Sequence, residues 1–231
     1  VVAVNNSGLR RDKMKQYHTV IFDLDGTLLN TLEDLTDSIN WAMQKYGYPL
    51  HTIDEVRSFV GNGLHKLVER ALPDGVTEEK TEEIFSDFTT HYKENCAVKT
   101  RPYDGILELL EELEKREIKI GIVSNKGDAA VKELNQHYFN GKIKVAIGER
   151  AGIKRKPAKD SVIEALKELS SKNEDAVYVG DSEVDVMTAK NAGLFGISVT
   201  WGFRERAFLE EHGATCFIDA PKEILSFVTG S

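Results

Sequence analysis

With 231 residues, 41% of them hydrophobic, the chain can bury one sizeable core and carry a second small lobe. Its net charge of -8 argues against nucleic acid or an anionic membrane surface as a partner, and no apolar stretch approaches the roughly 20 residues that span a bilayer. Two cysteines, Cys96 and Cys216, imply no disulfide framework and suit a reducing, cytoplasmic setting.

Residues 1–13 lack the apolar core of a signal peptide and Met14 offers a natural start, so residues 1–16 are read as a tail outside the fold, disordered or left from expression. The first strand signal is the β-branched and aromatic run 19–22. It leads into Asp23-Leu24-Asp25-Gly26-Thr27, where two carboxylates two apart on an extended segment share a face. Gly26 permits a sharp exit, leaving both in the crevice beyond a strand end where open α/β sheets bind ligands. Two like charges there repel and call for a cation. The ordinary alternative is a capping or turn carboxylate.

Between residues 30 and 101 helices alone are predicted. Leu32, Leu35, Ile39, Ala42 and Met43 keep helical spacing, as do Leu64, Leu67, Val68 and Ala71, then Ile84, Phe88 and Tyr92. Such stripes mark packing, here of a small lobe inserted after the first strand. The core resumes at Tyr103, with a helix through Ile106, Leu109, Leu110 and Leu113. Residues 118–123 predict a strand ending in Ser124-Asn125-Lys126, and residues 143–147 another. Lys156-Pro157 opens a helix that begins near Asp160, and the strand 176–179 ends in Gly180-Asp181-Ser182-Glu183-Val184-Asp185. Strands at 196–199 and 216–218 follow, with Pro221 in the first turn of a last helix. Strands alternating with helices predict an α/β fold: a doubly wound, mostly parallel Rossmann-like sheet formed by residues 17–29 and 102–231, with residues 30–101 as an inserted helical lobe.

Taken singly, Ser124 reads as a turn or cap, and Lys156 as part of the solvated stretch Lys154-Arg155-Lys156. Asp181 and Asp185, four apart on one face of a helix start, also fit ordinary dipole chemistry. Their order along the chain says more. Asp23-x-Asp25-Gly26-Thr27, Ser124, Lys156 before Pro157, and Gly180-Asp181 with Asp185 resemble the four motifs of the haloacid dehalogenase superfamily of phosphotransferases, over nearly all of residues 19–228. Within it the chain looks most like the phosphoglycolate phosphatases, through Val60-Gly61-Asn62-Gly63, Leu67-Val68-Glu69-Arg70-Ala71-Leu72, Pro102-Tyr103-Asp104-Gly105 and Thr200-Trp201-Gly202. Those segments mark a subgroup rather than a substrate.

The resemblance implies a phosphatase acting on a small-molecule phosphate monoester through an aspartyl-phosphate. Asp23 would be the nucleophile, and Asp25 the acid that protonates the leaving oxygen and later the base that activates water. Ser124, Asn125 and Lys156 would bind phosphate. Mg2+ would sit on Asp23, the backbone carbonyl of Asp25 and Asp181, with Asp185 either a direct ligand or a group that orients water and Lys156. The residue types suit that chemistry. Phosphate monoesters are among the slowest bonds to hydrolyse, with accelerations on the order of 10²¹. A carboxylate nucleophile divides the barrier, and a hard cation with a lysine offsets the charge of one anion attacking another.

In that reading the helical lobe is the cap, with hinges near Asn30 and residues 101–103. Substrate choice should lie in the cap around Arg57, Gly61, Asn62, Gly63 and Lys66, because the core motifs contact only the phosphoryl group. Gly61 and Gly63 would let backbone amides approach an anion, or form a plain helix entry. A carboxylate beside the phosphate calls for a cation, from Arg57, His65 or Lys66 in the cap or Arg204 in the core. Each of these reads more readily as a solvated charge.

The alternatives are a pyrophosphatase or broad sugar-phosphate and nucleotide phosphatase, then a β-phosphoglucomutase-like mutase, which also keeps both aspartates. A phosphonoacetaldehyde hydrolase would use Lys66 as a Schiff base but resembles Asp-x-Ala where Asp25 stands. A noncatalytic binding module would be expected to lack one of Asp23, Asp25, Lys156 or Asp181. The chain is expected as a monomer or homodimer.

Overall fold

The computed structural model describes residues 16–61 and 63–229; the predicted tail up to residue 15, and Asn62, lie outside them. Strand β1 (Thr19–Phe22) is buried along its whole length, because its side chains alternate between two cores. Val20 and Phe22 pack on one side of the sheet and Ile21 on the other. The chain then turns into β2 (Leu29–Asn30) and passes through four helices, α1 (Leu32–Tyr46), α2 (Ile53–Phe59), α3 (Gly63–Ala71) and α4 (Glu78–Asn95). It returns through β3 (Arg101–Pro102), which pairs antiparallel with β2. The Asp34 carboxylate accepts from the backbone N–H groups of Lys99 (2.9 Å) and Thr100 (2.8 Å). Both expected hinge segments therefore run side by side as one short ribbon.

Regular alternation follows: α5 (Ile106–Lys115), β4 (Lys119–Gly127), α6 (Asp128–Phe139), β5 (Val145–Glu149), α7 (Asp160–Glu168), β6 (Ala176–Gly180), α8 (Glu183–Ala192), β7 (Phe195–Val199), α9 (Arg206–Glu211) and β8 (Phe217–Ile218). The sheet has the order β5-β4-β1-β6-β7-β8, and all its pairings are parallel. The α/β doubly wound architecture is as predicted. Because β1 lies between β4 and β6, the chain departs to opposite sides there and opens a crevice at their carboxyl ends.

Two elements differ from expectation. Strand β4 continues past Val123, and its pairing with β5 shifts register between Val123 and Gly127, so residues 124–126 leave the regular ladder. The segment opened by Pro221 is a 3-10 helix, Pro221–Ser226, rather than an α-helix. No helix among the described residues is long and apolar enough to cross a membrane.

Candidate active site

The crevice collects the four sequence segments that carry chemistry. Asp23 follows β1, and its Oδ1 accepts from the Leu24 N–H at 2.7 Å and lies 2.8 Å from Lys156 Nζ. The same ammonium reaches Asp185 Oδ1 at 2.8 Å and Tyr178 Oη at 3.2 Å. Asp185, in the first turn of α8, uses Oδ2 to accept from the N–H (3.1 Å) and Oγ (2.6 Å) of Ser182. One oxygen thus caps a helix while the other holds a lysine. Asn125 fixes the backbone of Lys156 from both sides: its Nδ2 donates to the Lys156 carbonyl (3.1 Å), and the Lys156 N–H donates to its Oδ1 (2.8 Å). Its side chain is therefore spent on Lys156. Ser124 Oγ, buried in the same crevice, accepts from the Lys126 N–H at 3.2 Å.

Asp181 closes the cluster from the end of β6. Thr27 Oγ1 donates to one of its oxygens (3.1 Å) and the Phe203 N–H to the other (2.8 Å). The fit depends on two glycines. A Cβ on Gly26 would stand 2.3 Å from Asp181 Oδ2, and one on Gly202 would stand 2.2 Å from Asp181 Cβ. Gly26 also has φ +83°, which side chains disfavour.

Charge is unbalanced here. With all four ionised, Asp23, Asp25, Asp181 and Asp185 would outnumber the ammonium groups of Lys126 and Lys156 by two. Burial and the Asp185 charge push Asp181 up to about 7. Burial and Asp185 likewise raise Asp23, against the pull of Lys156. Burial opposes the Lys156 charge, but Asp185 and Asp23 outweigh it and keep the amine protonated. Against its own burial, Asp185 is lowered by Lys156. Carboxylate oxygens of Asp23, Asp181 and Asp185 come within 4.8 Å of one another, all buried. Hard oxygen donors lacking positive charge fit a divalent cation of the Mg2+ type.

Sequence reasoning missed two members. Tyr178, on β6, donates to Asp185 Oδ1 at 2.9 Å. Lys126, with its side chain only 4% exposed, sits 3.0 Å from Asp25 Oδ1 and donates to Tyr92 Oη at 2.7 Å. The signal for Lys126 was its position two residues beyond Ser124 on one strand exit, where alternate side chains share a face.

The wall that residues 30–101 give the cavity is apolar where Val60, Leu64 and Leu67 contribute to it, and Gly61 and Gly63 also line it. The structure does not bring the expected cap cations there. Arg57 pairs with Asp54 (3.2 Å), Lys66 pairs with Glu69, and His65 contacts Glu82 (2.6 Å) and Glu69 (3.1 Å). Acidic neighbours on the cap helices satisfy all three away from the cavity. Arg204 does line it. Its Nε pairs with Glu183 (3.2 Å), while its other nitrogens donate to the carbonyls of Arg57 (2.8 Å) and Val60, so it clasps the carboxyl end of α2 to the core.

Residues 20–199 match the family of haloacid dehalogenase-like hydrolases. Phosphoglycolate phosphatase 1 of Pseudomonas aeruginosa is 32% identical over 212 residues, which cover 89% of this chain and 78% of that one. Pyrophosphatase PpaX of Bacillus cereus is 28% identical over 217 residues, covering 92% and 96% respectively. Among solved structures, one from Lactobacillus delbrueckii subsp. bulgaricus, provisionally a phosphoglycolate phosphatase, superposes with a TM-score of 0.89 at 34% identity, covering 94% of this chain and 100% of that one.

Proposed function

The chain belongs to the haloacid dehalogenase-like hydrolases and is a phosphatase, and on that premise we propose that it hydrolyses a small-molecule phosphate monoester, phosphoglycolate foremost, by way of Asp23. Asp23 attacks phosphorus as the ester P–O bond breaks, and Asp25 gives its proton to the leaving oxygen. Asp25, now a carboxylate, takes a proton from the water that attacks the aspartyl-phosphate, which releases phosphate and restores Asp23. Ser124 and Lys156 hold phosphoryl oxygens, and Asn125 and Asp185 fix Lys156 from its backbone and its ammonium. Asp23, Asp181 and the backbone carbonyl of Asp25 would hold Mg2+, which would supply positive charge to the phosphoryl group. The observation that carries this reading is Lys156 Nζ at 2.8 Å from both Asp23 and Asp185, beside the buried carboxylate cluster of Asp23, Asp181 and Asp185.

Residues 30–101 act as the cap. Lys126 and Arg204 line the cavity beside the phosphoryl end, against the apolar wall of Val60, Leu64 and Leu67. Both side chains are already committed, Lys126 to Asp25 and Tyr92 and Arg204 to Glu183 and the carbonyls of Arg57 and Val60, so the preference for phosphoglycolate rests on the similarity to phosphoglycolate phosphatases. Among the described residues both cysteines are free, which supports a cytoplasmic setting.

A panel of phosphoglycolate, pyrophosphate, hexose phosphates and nucleotides, compared by kcat/KM, is expected to rank phosphoglycolate first. Pyrophosphate in first place would favour the second reading, which the similarity to pyrophosphatase PpaX supports. Interconversion of sugar-phosphate isomers without net phosphate release would favour a mutase.

Mg2+ dependence carries a pH signature. In the metal-free fold Asp181 keeps its proton to about 7, whereas unfolded it loses it near the ordinary carboxyl value of 3.8. A raised carboxyl pKa stabilises below the unfolded value, and that contribution, on the order of a few kcal/mol, is lost as pH rises toward 7. Mg2+ favours the deprotonated cluster, so the Tm gain from saturating Mg2+ over EDTA should widen between about pH 5 and about pH 8. A gain that stays flat would count against Asp181 as a ligand.

A further inference from the structure

Tyr92 belongs to the apolar stripe of α4 with Ile84 and Phe88, and its ring stacks on Phe88 with centroids 5.6 Å apart. Packing alone would explain a phenylalanine there. The hydroxyl does something else: it leaves the cap and accepts from Lys126 Nζ at 2.7 Å, on core strand β4. The same ammonium stands 3.0 Å from Asp25 Oδ1. Cap helix, core strand and the loop after β1 are thus joined through one buried nitrogen.

A buried ammonium with two of its three donors committed has little freedom, and it fixes whatever carboxylate it touches. Removing the Tyr92 hydroxyl would leave one donor of the buried Lys126 ammonium without its partner, and the lysine would reorient. Asp25 Oδ1 would lose its anchor. A carboxyl group that hands a proton across a hydrogen bond is sensitive to that kind of displacement. With Oδ1 held by Lys126, Oδ2 is the oxygen left to carry the transferable proton.

We infer that Tyr92 is a positioning residue through which the docked cap sets Asp25, by way of Lys126, for delivery of its proton to the leaving oxygen. The inference rests on the phosphatase reading of Asp23 and Asp25. In the step concerned the Asp23 oxygen bonds to phosphorus, the ester P–O bond breaks, and the proton of Asp25 passes to the departing alkoxide, which leaves as the alcohol while Asp25 becomes a carboxylate. Acid catalysis is then available only while α4 is seated on the core, so a closed cap and a competent acid coincide.

The leaving group provides the test. Nitrophenolate departs without a proton, whereas an alkoxide needs one, and kcat/KM covers only the steps up to departure of the alcohol. With Mg2+ present, Tyr92→Phe, Asp25→Asn and the parent are compared on para-nitrophenyl phosphate and on the alkyl phosphate the parent turns over best. Tyr92→Phe is expected to lose about tenfold or more in kcat/KM on the alkyl ester and to stay within about threefold on the aryl ester. Asp25→Asn should show the same inequality, larger. Equal losses on both esters, or no loss on either, in Tyr92→Phe while Asp25→Asn discriminates would overturn the inference alone. Absence of leaving-group dependence in Asp25→Asn, or no turnover by the parent, would overturn the acid assignment and the inference together.

Discussion

Asp23→Asn is expected to lower kcat by about 10⁴-fold or more while leaving the metal-free protein at least as stable as the parent. The two effects have opposite signs for one reason. An amide keeps the shape of the side chain but cannot attack phosphorus, so the covalent step has no nucleophile. In the free protein, burial and Asp185 already raise the Asp23 pKa, which means that its charge is carried at a cost. Asparagine removes that cost, and its side-chain oxygen can still accept from the Leu24 N–H. Phosphate release with Mg2+ and Tm in EDTA measure the two effects. Activity within about tenfold of the parent would reject Asp23 as nucleophile, and a collapse of Tm in EDTA would show that the carboxylate is structural. For para-nitrophenyl phosphate the loss should be as deep as for any other ester, because every substrate needs the nucleophile and only some need the acid.

The fold was readable because local and long-range signals agreed. The β-branched and aromatic run 19–22 reads as a buried strand, and β1 lies centrally between β4 and β6 with both neighbours parallel. The candidate site was readable where a motif pairs residues close in sequence: Asp23 with Asp25, and Asp181 with Asp185. It was not readable where a side chain lies outside the four motifs and looks like packing. Tyr92 looked like packing because its ring is packing, and only its hydroxyl crosses from cap to core. Tyr178 was hidden by the apolar strand that carries it, although Asp185, to which it donates, lies only seven residues on.

Arg57 and Lys66 stand outside the cavity lining for a related reason. Arg57 and Lys66 have acidic neighbours three residues away on their own helices, and such pairs form on a helix surface without any tertiary context. Sequence proximity to Gly61 and Gly63 therefore did not bring them to the cavity. Arg204 offered no pattern beyond its place after Trp201-Gly202, yet it lies against the carboxyl end of α2, where unpaired carbonyls attract a guanidinium.

Lys156→Met should be the most disruptive change for the cluster as a whole, because one ammonium serves three partners. Asp23 Oδ1, Asp185 Oδ1 and Tyr178 Oη all lie within 3.2 Å of Nζ. Without it, Asp23 and Asp185 face each other and Asp181 with no cation between them, and breaking a buried ion pair from one side typically costs about 3–5 kcal/mol. The metal-free variant should therefore melt well below the parent at neutral pH. It should recover part of the difference on acidification, since protonating Asp23 and Asp181, already raised in the parent, removes the uncompensated charge. Mg2+ should restore part of it as well, by supplying charge at the same place. Turnover is a separate matter: with Lys156 gone, a phosphoryl oxygen loses its charged donor, and kcat should fall by about 10²- to 10³-fold even with Mg2+ saturating. Lys156→Arg is not expected to rescue, because a planar guanidinium cannot reproduce the three contacts that one ammonium makes to Asp23, Asp185 and Tyr178 from a backbone fixed by Asn125. Melting curves in EDTA across pH, set beside kcat in Mg2+, separate the two roles. A variant that melts like the parent in EDTA yet loses activity would show that Lys156 serves the phosphoryl group without holding the carboxylates. One that unfolds but, once bound to Mg2+, turns over normally would show the reverse.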